Sequence, residues 1–379
     1  LFLQDKKIKL GCPCDEFLNI IISHSTKIQG AEHAEGFWTD HWTYNLDLLE
    51  SYLGLYPEKL KELFFLKRVF TFFDNTEIVK PREDKFLILG GCVKQLHSVY
   101  ADPVKKELIR KRHKDAHLVR VDYGKGEVYR TTLINKLFCL LVNKLASLDP
   151  FGTGVEMEAD KPNWFDALNG LPALFGSSAC ETFELKRLCL IIKGALDKSG
   201  SEKIHISEEI LDFLTGLDGL ISAYFNSGAA DKDYAFWDES HTLKEKYRNK
   251  TRLGFSGSET EIDTGLLQGM VGNALDKITL GIDKALDKEK NVYYSYFINE
   301  VSEYEIIKEH FVKPLKFIQK KVPIFLEGQM HALRLAENKD TASRLHKATK
   351  TSRLYDKKLK MYKVTAPLYD MPEEIGRCR

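Results

Sequence analysis

The chain has 379 residues, of which 43% are apolar and 29% charged, with 11 Pro and 25 Gly. This size and composition exclude a disordered chain and a small disulfide-stapled domain, because the apolar content can bury a large core. The 56 basic residues nearly balance the 55 acidic ones, which gives a net charge of +1. A chain with so little net charge has no overall positive potential to attract a polyanion, so we do not expect nucleic acid as a partner.

The cysteines and the ends of the chain bear on its location. Seven cysteines, an odd and scattered set, are typical of reduced intracellular thiols. The first residues are charged where a signal peptide needs an apolar run, and the densest apolar stretch, 137–142, is bounded by Lys136 and Lys144. We therefore predict a cytoplasmic protein with no membrane partner. The missing initial Met and the abrupt end predict a fragment of a longer chain.

Hydrophobic periodicity predicts helices along most of the chain. In chain order they are 15–24, a helix that starts near Thr39 or Asp40, 58–66, 131–147, 178–197, 207–225, 239–250, 261–288, 303–311 and 341–362. Segment 131–147 is apolar nearly all round and predicts an inner helix. Two hairpins, 68–73 with 77–79 and 118–121 with 127–129, predict a β-containing insertion over 68–130.

The strongest local start signal is the run from Ser178 to Glu181. A hydroxyl three residues before a carboxylate, just ahead of apolar residues at helical spacing, is the reciprocal capping pattern that satisfies free amide donors. We expect a helix to begin there.

Two segments are richer in polar and aromatic residues than a fold alone requires. The first places Trp38, Asp40, His41 and Trp42 at a loop-to-helix junction, with Asn45 one turn later. Aromatic faces beside charged groups suit a sugar, whose CH faces stack and whose hydroxyls form hydrogen bonds. Helix capping by Thr39 or Asp40, with the tryptophans in the core, explains the same residues equally well.

The second segment alternates Glu156, Glu158 and Asp160, which in an extended chain project to one side. Asp166 follows beside Trp164 after a proline turn. Like charges held together raise the pKa of at least one carboxyl group, as a general acid requires. The alternative is a solvated acidic loop whose charge is neutralised by Lys161. We favour a functional role, because exposing the large apolar ring of Trp164 to solvent on a loop is costly.

Several other kinds of site are not supported. Cys12 and Cys14 lack a second pair of zinc ligands, and neither a phosphate-binding loop nor a nucleophile elbow is present. Seven histidines are isolated, and each is expected to be structural or solvated: His97, His113, His117, His205, His310, His331 and His346. We predict no metal site and no organic cofactor.

From about Glu35 to its C-terminus the chain resembles bacterial proteins of the cellobiose phosphorylase type, in the six-hairpin (α/α)6 glycosidase superfamily. The sharpest part is 160–178. The family's general acid is an Asp in a Trp-Asn-Asp-Gly context, whose first and third positions match Trp164 and Asp166, whereas Phe165 and Ala167 differ. The resemblance implies a mainly α fold, one (α/α)6 toroid over 1–379, whole or incomplete, with short β-hairpin insertions.

The resemblance also implies chemistry. Asp166 would protonate the glycosidic oxygen while inorganic phosphate, the co-substrate, attacks the anomeric carbon of a β-linked di- or oligosaccharide. Glu156 and Glu158 would tune or assist this site. The expected sugar-binding residues are Trp38, Asp40, His41, Trp42, Asn45, Asp160, Lys161, Trp164 and Asn169.

Two alternative functions stay open. An inverting hydrolase would use Glu156 or Glu158 as base, at about 6.5–9.5 Å from the acid so that a water fits between them. A non-catalytic carbohydrate-binding fragment would keep the sugar site alone. The expected partner is a di- or oligosaccharide, and assembly into a homodimer is left open.

Overall fold

The computed structural model describes residues 11–25, 40–158 and 170–372. The chain divides into two compact units, Leu1–Glu32 and His33–Arg379. In the first unit, helix α1 covers Cys14–His24. Asp15 and Glu16 lie in its first turn, where carboxylates complement the positive end of the helix dipole.

The second unit contains the other helices, and about 51% of all described residues are helical. Its α-helices are α2 (Asp40–Leu55), α3 (Pro103–Arg110), α4 (Leu133–Leu145), α5 (Gly170–Phe175), α6 (Ala179–Asp197), α7 (Glu208–Asn226), α8 (Lys232–Lys250), α9 (Thr264–Ala285), α10 (Leu326–Arg334) and α11 (Lys339–Thr351). Shorter helical turns cover Pro57–Lys59, Glu62–Leu66, Arg82–Asp84, Asp122–Gly124 and Leu368–Asp370.

A six-stranded antiparallel sheet accompanies these helices. Its strands are β2 (Phe86–Leu89), β3 (Cys92–Gln95), β5 (Val155–Glu156), β6 (Gly176–Ser178), β11 (Tyr296–Lys308) and β12 (Phe311–Lys321). Across the sheet they lie in the order β3-β2-β12-β11-β6-β5. Four strand pairs stand apart from it: β1 (Glu77–Val79) with β4 (Val99–Ala101), β7 (Lys203–Ser207) with β8 (Glu259–Asp263), β9 (Leu286–Asp287) with β10 (Val292–Tyr293), and β13 (Tyr355–Asp356) with β14 (Met361–Tyr362).

The main core lies around α4, which packs against α6 and α7, while α9 packs against the same two helices. Phe138, Leu141 and Val142 of α4 have no exposed surface. The inner helix predicted over 131–147 is therefore confirmed. Truncating Phe138 to alanine would cost about 3–5 kcal/mol, because the surrounding helices cannot close the cavity.

The predicted (α/α)6 toroid is wrong. The described residues form a mixed α/β unit in which helices pack beside a six-stranded antiparallel sheet, without the ring of six helical hairpins that the resemblance implied. Amphipathic periodicity identifies helices one at a time and contains no information on closure into a ring. Strand pairing across long sequence separations decided the architecture instead.

Three local predictions also need correction. The helix expected over 303–311 is the β11–β12 hairpin, which turns at Glu309 with a φ of +49°. The helix expected over 341–362 ends at Thr351 and is followed by β13 and β14. Strand 77–79 pairs with 99–101 rather than with 68–73. In each case strand pairing outweighs the pattern that the segment shows by itself.

The hairpin expected between 118–121 and 127–129 is confirmed, since Arg120 bridges Val128 in antiparallel pairing. Within the described residues, no helix combines the length and apolar character needed to cross a bilayer.

Candidate functional site

A small cavity, here called the basic cavity, lies where β5 and the residues after it meet α8. Its lining residues are Arg82, Lys85, Phe86, Gln95, Glu156, Met157, Glu158, Trp237, His241 and Lys244. The cavity volume is about 10 Å³, which is room for about one water molecule. Glu156 and Glu158 both face it, as their alternation predicts, but a sugar ring does not fit inside it.

Helix α8 supplies one wall of the basic cavity through Trp237, His241 and Lys244. Positions separated by four and three residues lie on one face of a helix, and all three side chains are buried. The sequence prediction began this helix at residue 239 instead of Lys232, which left Trp237 out of the pattern. The available sequence signal was the helical spacing of Trp237, His241, Lys244 and Arg248, which places all four on one face of a helix.

Glu158 is held by two cations. Its carboxylate lies 2.9 Å from Lys85 Nζ and 3.4 Å from Arg248 Nη1. Burial alone would raise its pKa, but Lys85, Arg248 and Lys244 outweigh burial and lower the pKa to about 2. Glu158 therefore stays ionised at neutral pH, the opposite of what a general acid needs, because opposite charges dominate over the repulsion between carboxylates.

Glu156 lies beside His241 in the basic cavity. Glu156 Oε2 accepts a hydrogen bond from Trp237 Nε1 at 3.2 Å and lies 3.0 Å from His241 Nε2. The other imidazole nitrogen, Nδ1, lies 2.9 Å from the Trp237 carbonyl oxygen, which can only accept. Nδ1 therefore carries a hydrogen.

The imidazole itself is hard to charge. Burial lowers the pKa of His241 well below its ordinary value, and the neighbouring Lys244, Arg82 and Lys85 lower it further. The neutral form of the imidazole is therefore favoured.

Lys244 is a buried basic side chain of the same cavity. Among the described residues no carboxylate lies within 4.0 Å of its Nζ, which donates to Ser147 Oγ at 3.1 Å. Burial lowers the pKa of Lys244 well below its ordinary value, and Arg248 adds to the effect. Of the two other basic side chains in the lining, Lys85 is paired with Glu158, and Arg82 is paired with Asp238 and Glu245.

The first predicted sugar-binding segment is only partly described. Trp42 is buried in the main core and donates from Nε1 to Glu181 Oε2 at 3.1 Å, so its ring packs inside the protein instead of facing a ligand. Asn45 is exposed on α2. Asp40 and His41 lie in the first turn of α2. Trp38 lies outside the described residues.

The predicted acid, Asp166, also lies outside the described residues. So do the predicted sugar-binding residues near it in the sequence, Asp160, Lys161, Trp164 and Asn169. The chain enters this segment from Glu158 and leaves it into α5, whose last residue directly precedes β6. Met157 N donates to Gly176 O at 3.4 Å, which joins the chain just before this segment to the first residue of β6.

A second group of carboxylates, here called the acidic cluster, consists of the buried Glu181 and Glu184, the partly buried Glu327, and His331. Helix α6 begins at Ala179, as predicted, and Ser178 Oγ accepts from Cys180 N at 3.2 Å. Glu181 does not complete the capping pattern: its Oε2 accepts from Trp42 and, at 2.9 Å, from Lys144 Nζ. Burial raises the pKa of Glu181.

His331 joins α10 to α6 in this cluster. Its Nδ1 lies 2.8 Å from Glu184 Oε1 and its Nε2 lies 3.8 Å from Glu327 Oε1. Burial opposes protonation, but these two carboxylates outweigh it and raise the pKa of His331 to about 9. The sequence prediction treated His331 as isolated, because Glu184 lies almost 150 positions away. Its spacing of four from Glu327 was the available signal.

Comparison of the chain with models of known protein families found no match, and no curated protein sequence matched it either.

Proposed function

We propose that this chain belongs to a carbohydrate-active enzyme, an inverting glycoside phosphorylase that cleaves a β-linked, cellobiose-like di- or oligosaccharide with inorganic phosphate. The products are a sugar 1-phosphate and a shortened saccharide. The sequence around Asp166 motivates the reaction class, and the odd, scattered cysteines favour the cytoplasm as its location.

The observation that carries the choice of phosphorolysis over hydrolysis is the state of the two described carboxylates. An inverting hydrolase needs a base as well as an acid. Glu158, with a pKa of about 2, is a weak base. Glu156 accepts a hydrogen bond from Trp237 and lies 3.0 Å from His241 Nε2, so its carboxylate is already occupied by neighbouring side chains. Phosphorolysis requires only the acid, because phosphate is itself the nucleophile.

In the proposed mechanism Asp166 donates its proton to the glycosidic oxygen as the bond to the anomeric carbon breaks. Phosphate attacks that carbon from the opposite face, and the configuration inverts.

The test is product analysis. β-Linked gluco-disaccharides and short oligosaccharides are incubated with and without inorganic phosphate, and sugar 1-phosphate is followed by phosphorus NMR. We expect it to form only with phosphate. Reducing sugar released regardless of phosphate would instead identify a hydrolase, and saccharide binding without turnover would identify a binding module.

The variant Asp166→Asn tests the role of Asp166 as the general acid, because an amide cannot donate the proton. We expect turnover to fall by about 10²–10⁴-fold, the usual contribution of a general acid, with unfolding unchanged. The control is Asp212→Asn, which removes an exposed carboxylate on α7. Near-normal turnover of the Asp166 variant would overturn the assignment of the acid.

A further inference from the structure

Three side chains with metal-binding atoms converge inside the acidic cluster. One ligand atom from each of Cys180, Glu327 and His331 lies within 4.8 Å of the other two. A thiolate, an imidazole and a carboxylate are the ligand types that Zn²⁺ takes in proteins, at about 2.0–2.3 Å from the metal. Inward movements of the three side chains by about 1 Å would bring these atoms to coordinating distance.

The fold explains why these residues meet. Glu327 and His331 are four residues apart on α10 and therefore lie on one face of it. Helix α10 packs against α6, whose first turn carries Cys180. Cys180 has no exposed surface, and the His331 side chain is 11% exposed, so the three ligands lie between two packed helices.

The surrounding hydrogen bonds hold two of the ligands in the orientation that a metal needs. His331 Nδ1 faces Glu184 at 2.8 Å, which leaves Nε2 toward Glu327. Tyr296 donates its hydroxyl to Glu327 Oε2 at 2.5 Å, which leaves Oε1 toward His331. A carboxylate behind a ligating histidine and a donor behind a ligating carboxylate are the usual outer contacts of zinc sites.

The residue that follows Cys180 in the chain has a buried oxygen without a hydrogen-bond partner. Glu181, next to Cys180 in the chain, is 2% exposed, and its Oε1 has no hydrogen-bond partner. The negative charge of Glu181 raises the pKa of the Cys180 thiol, and Glu181 also interacts electrostatically with His331. A buried carboxylate oxygen without a partner is costly, and a nearby cation would remove that cost.

We propose that Cys180, Glu327 and His331 form a Zn²⁺ site, with a water as the fourth ligand. The ion would connect the first turn of α6 to α10. The proposal does not depend on the glycoside chemistry.

The experiment uses the full chain after treatment with EDTA. Zn²⁺ is titrated calorimetrically, and Co²⁺ is added in parallel, because a thiolate ligand gives Co²⁺ a near-ultraviolet charge-transfer band. We expect one ion per chain, that band, and a higher thermal midpoint with Zn²⁺. Turnover is not a readout, so failure here leaves the proposed phosphorylase untouched.

Variants assign the ligands. Cys180→Ser should abolish the band and weaken Zn²⁺ binding by more than about 100-fold, beyond what loss of an outer contact costs. Cys189→Ser is the matched control: it is a free, fully buried thiol on the same helix, and it should leave both readouts unchanged.

Tyr296→Phe covers the case in which Cys180→Ser does not fold. It removes only the hydroxyl behind Glu327, and we expect the affinity to fall by about 10–100-fold with the charge-transfer band retained. Absence of stoichiometric binding by the parent chain would overturn the proposal. So would equal effects of Cys180→Ser and Cys189→Ser.

Discussion

The basic cavity and the acidic cluster each bury a histidine beside a glutamate, yet the two imidazoles differ in charge. His241 lies 3.0 Å from Glu156 among Lys244, Arg82 and Lys85, and its pKa is lowered well below the ordinary value. His331 lies 2.8 Å from Glu184, with Glu327 on its other side, and its pKa is raised to about 9.

Burial acts in the same direction on both imidazoles, because it disfavours the charged form. The difference in pKa therefore comes from the other charged side chains that surround each histidine–glutamate pair. Cations around the basic cavity oppose another positive charge, whereas carboxylates around the acidic cluster require one. A glutamate–histidine contact thus has no fixed protonation state, and the residues behind it decide.

The largest expected effect concerns the ion pairs of the basic cavity. Glu158→Gln leaves Lys85, whose side chain is 5% exposed, without this carboxylate. We expect a loss of about 3 kcal/mol in the free energy of unfolding at pH 7, measured with denaturant, since the variant removes one partner of a largely buried ion pair.

The same variant has a defined pH dependence. The folded pKa of Glu158, about 2, is below its ordinary value of 4.5, so its contribution is present above pH 4.5 and lost as the pH falls toward 2. The deficit of the variant should shrink over that range. Glu261→Gln, which breaks an exposed pair with Lys203, is the control and should cost less than about 1 kcal/mol. Equal losses for the two variants would contradict the burial argument.

The next prediction tests the two imidazoles directly. In metal-free protein at pH 7.5, nitrogen-15 NMR should show His331 protonated on both nitrogens, and His241 neutral with its hydrogen on Nδ1. Raising the pH through about 9 should deprotonate His331. Similar titration of both rings near their ordinary pKa would break the comparison between the two clusters.

The smallest effect is expected at Trp42. Trp42→Phe keeps the apolar packing but removes the donor to Glu181, whose Oε2 retains Lys144. We expect a loss of about 1 kcal/mol in unfolding free energy. Saccharide affinity should not change, because the ring packs in the core. A large loss of affinity with unchanged stability would restore Trp42 as a sugar-binding residue.

Part of the candidate site was accessible from the sequence. The alternation of Glu156 and Glu158 correctly placed both on one side, because side chains of an extended chain alternate. The environment of these carboxylates was not accessible. Lys85 and Arg248 come from segments 73 and 90 positions away, and they reverse the pKa shift that repulsion between carboxylates predicts.

By itself, the sequence determined the local elements. The inner helix α4 follows from an apolar surface that only protein can cover, and the start of α6 follows from the hydroxyl of Ser178. These signals act over one or two turns, so neighbours in the chain are sufficient to produce them.

The tertiary structure alone decided the pairing of strands, the absence of a helical ring from the described residues, and the charge of each buried histidine. Strand β6 finds β11 more than a hundred positions away, and His331 finds Glu184 at a similar separation. Hydrogen bonding between strands and electrostatics in a buried site depend on distance in space, which the order of residues does not specify.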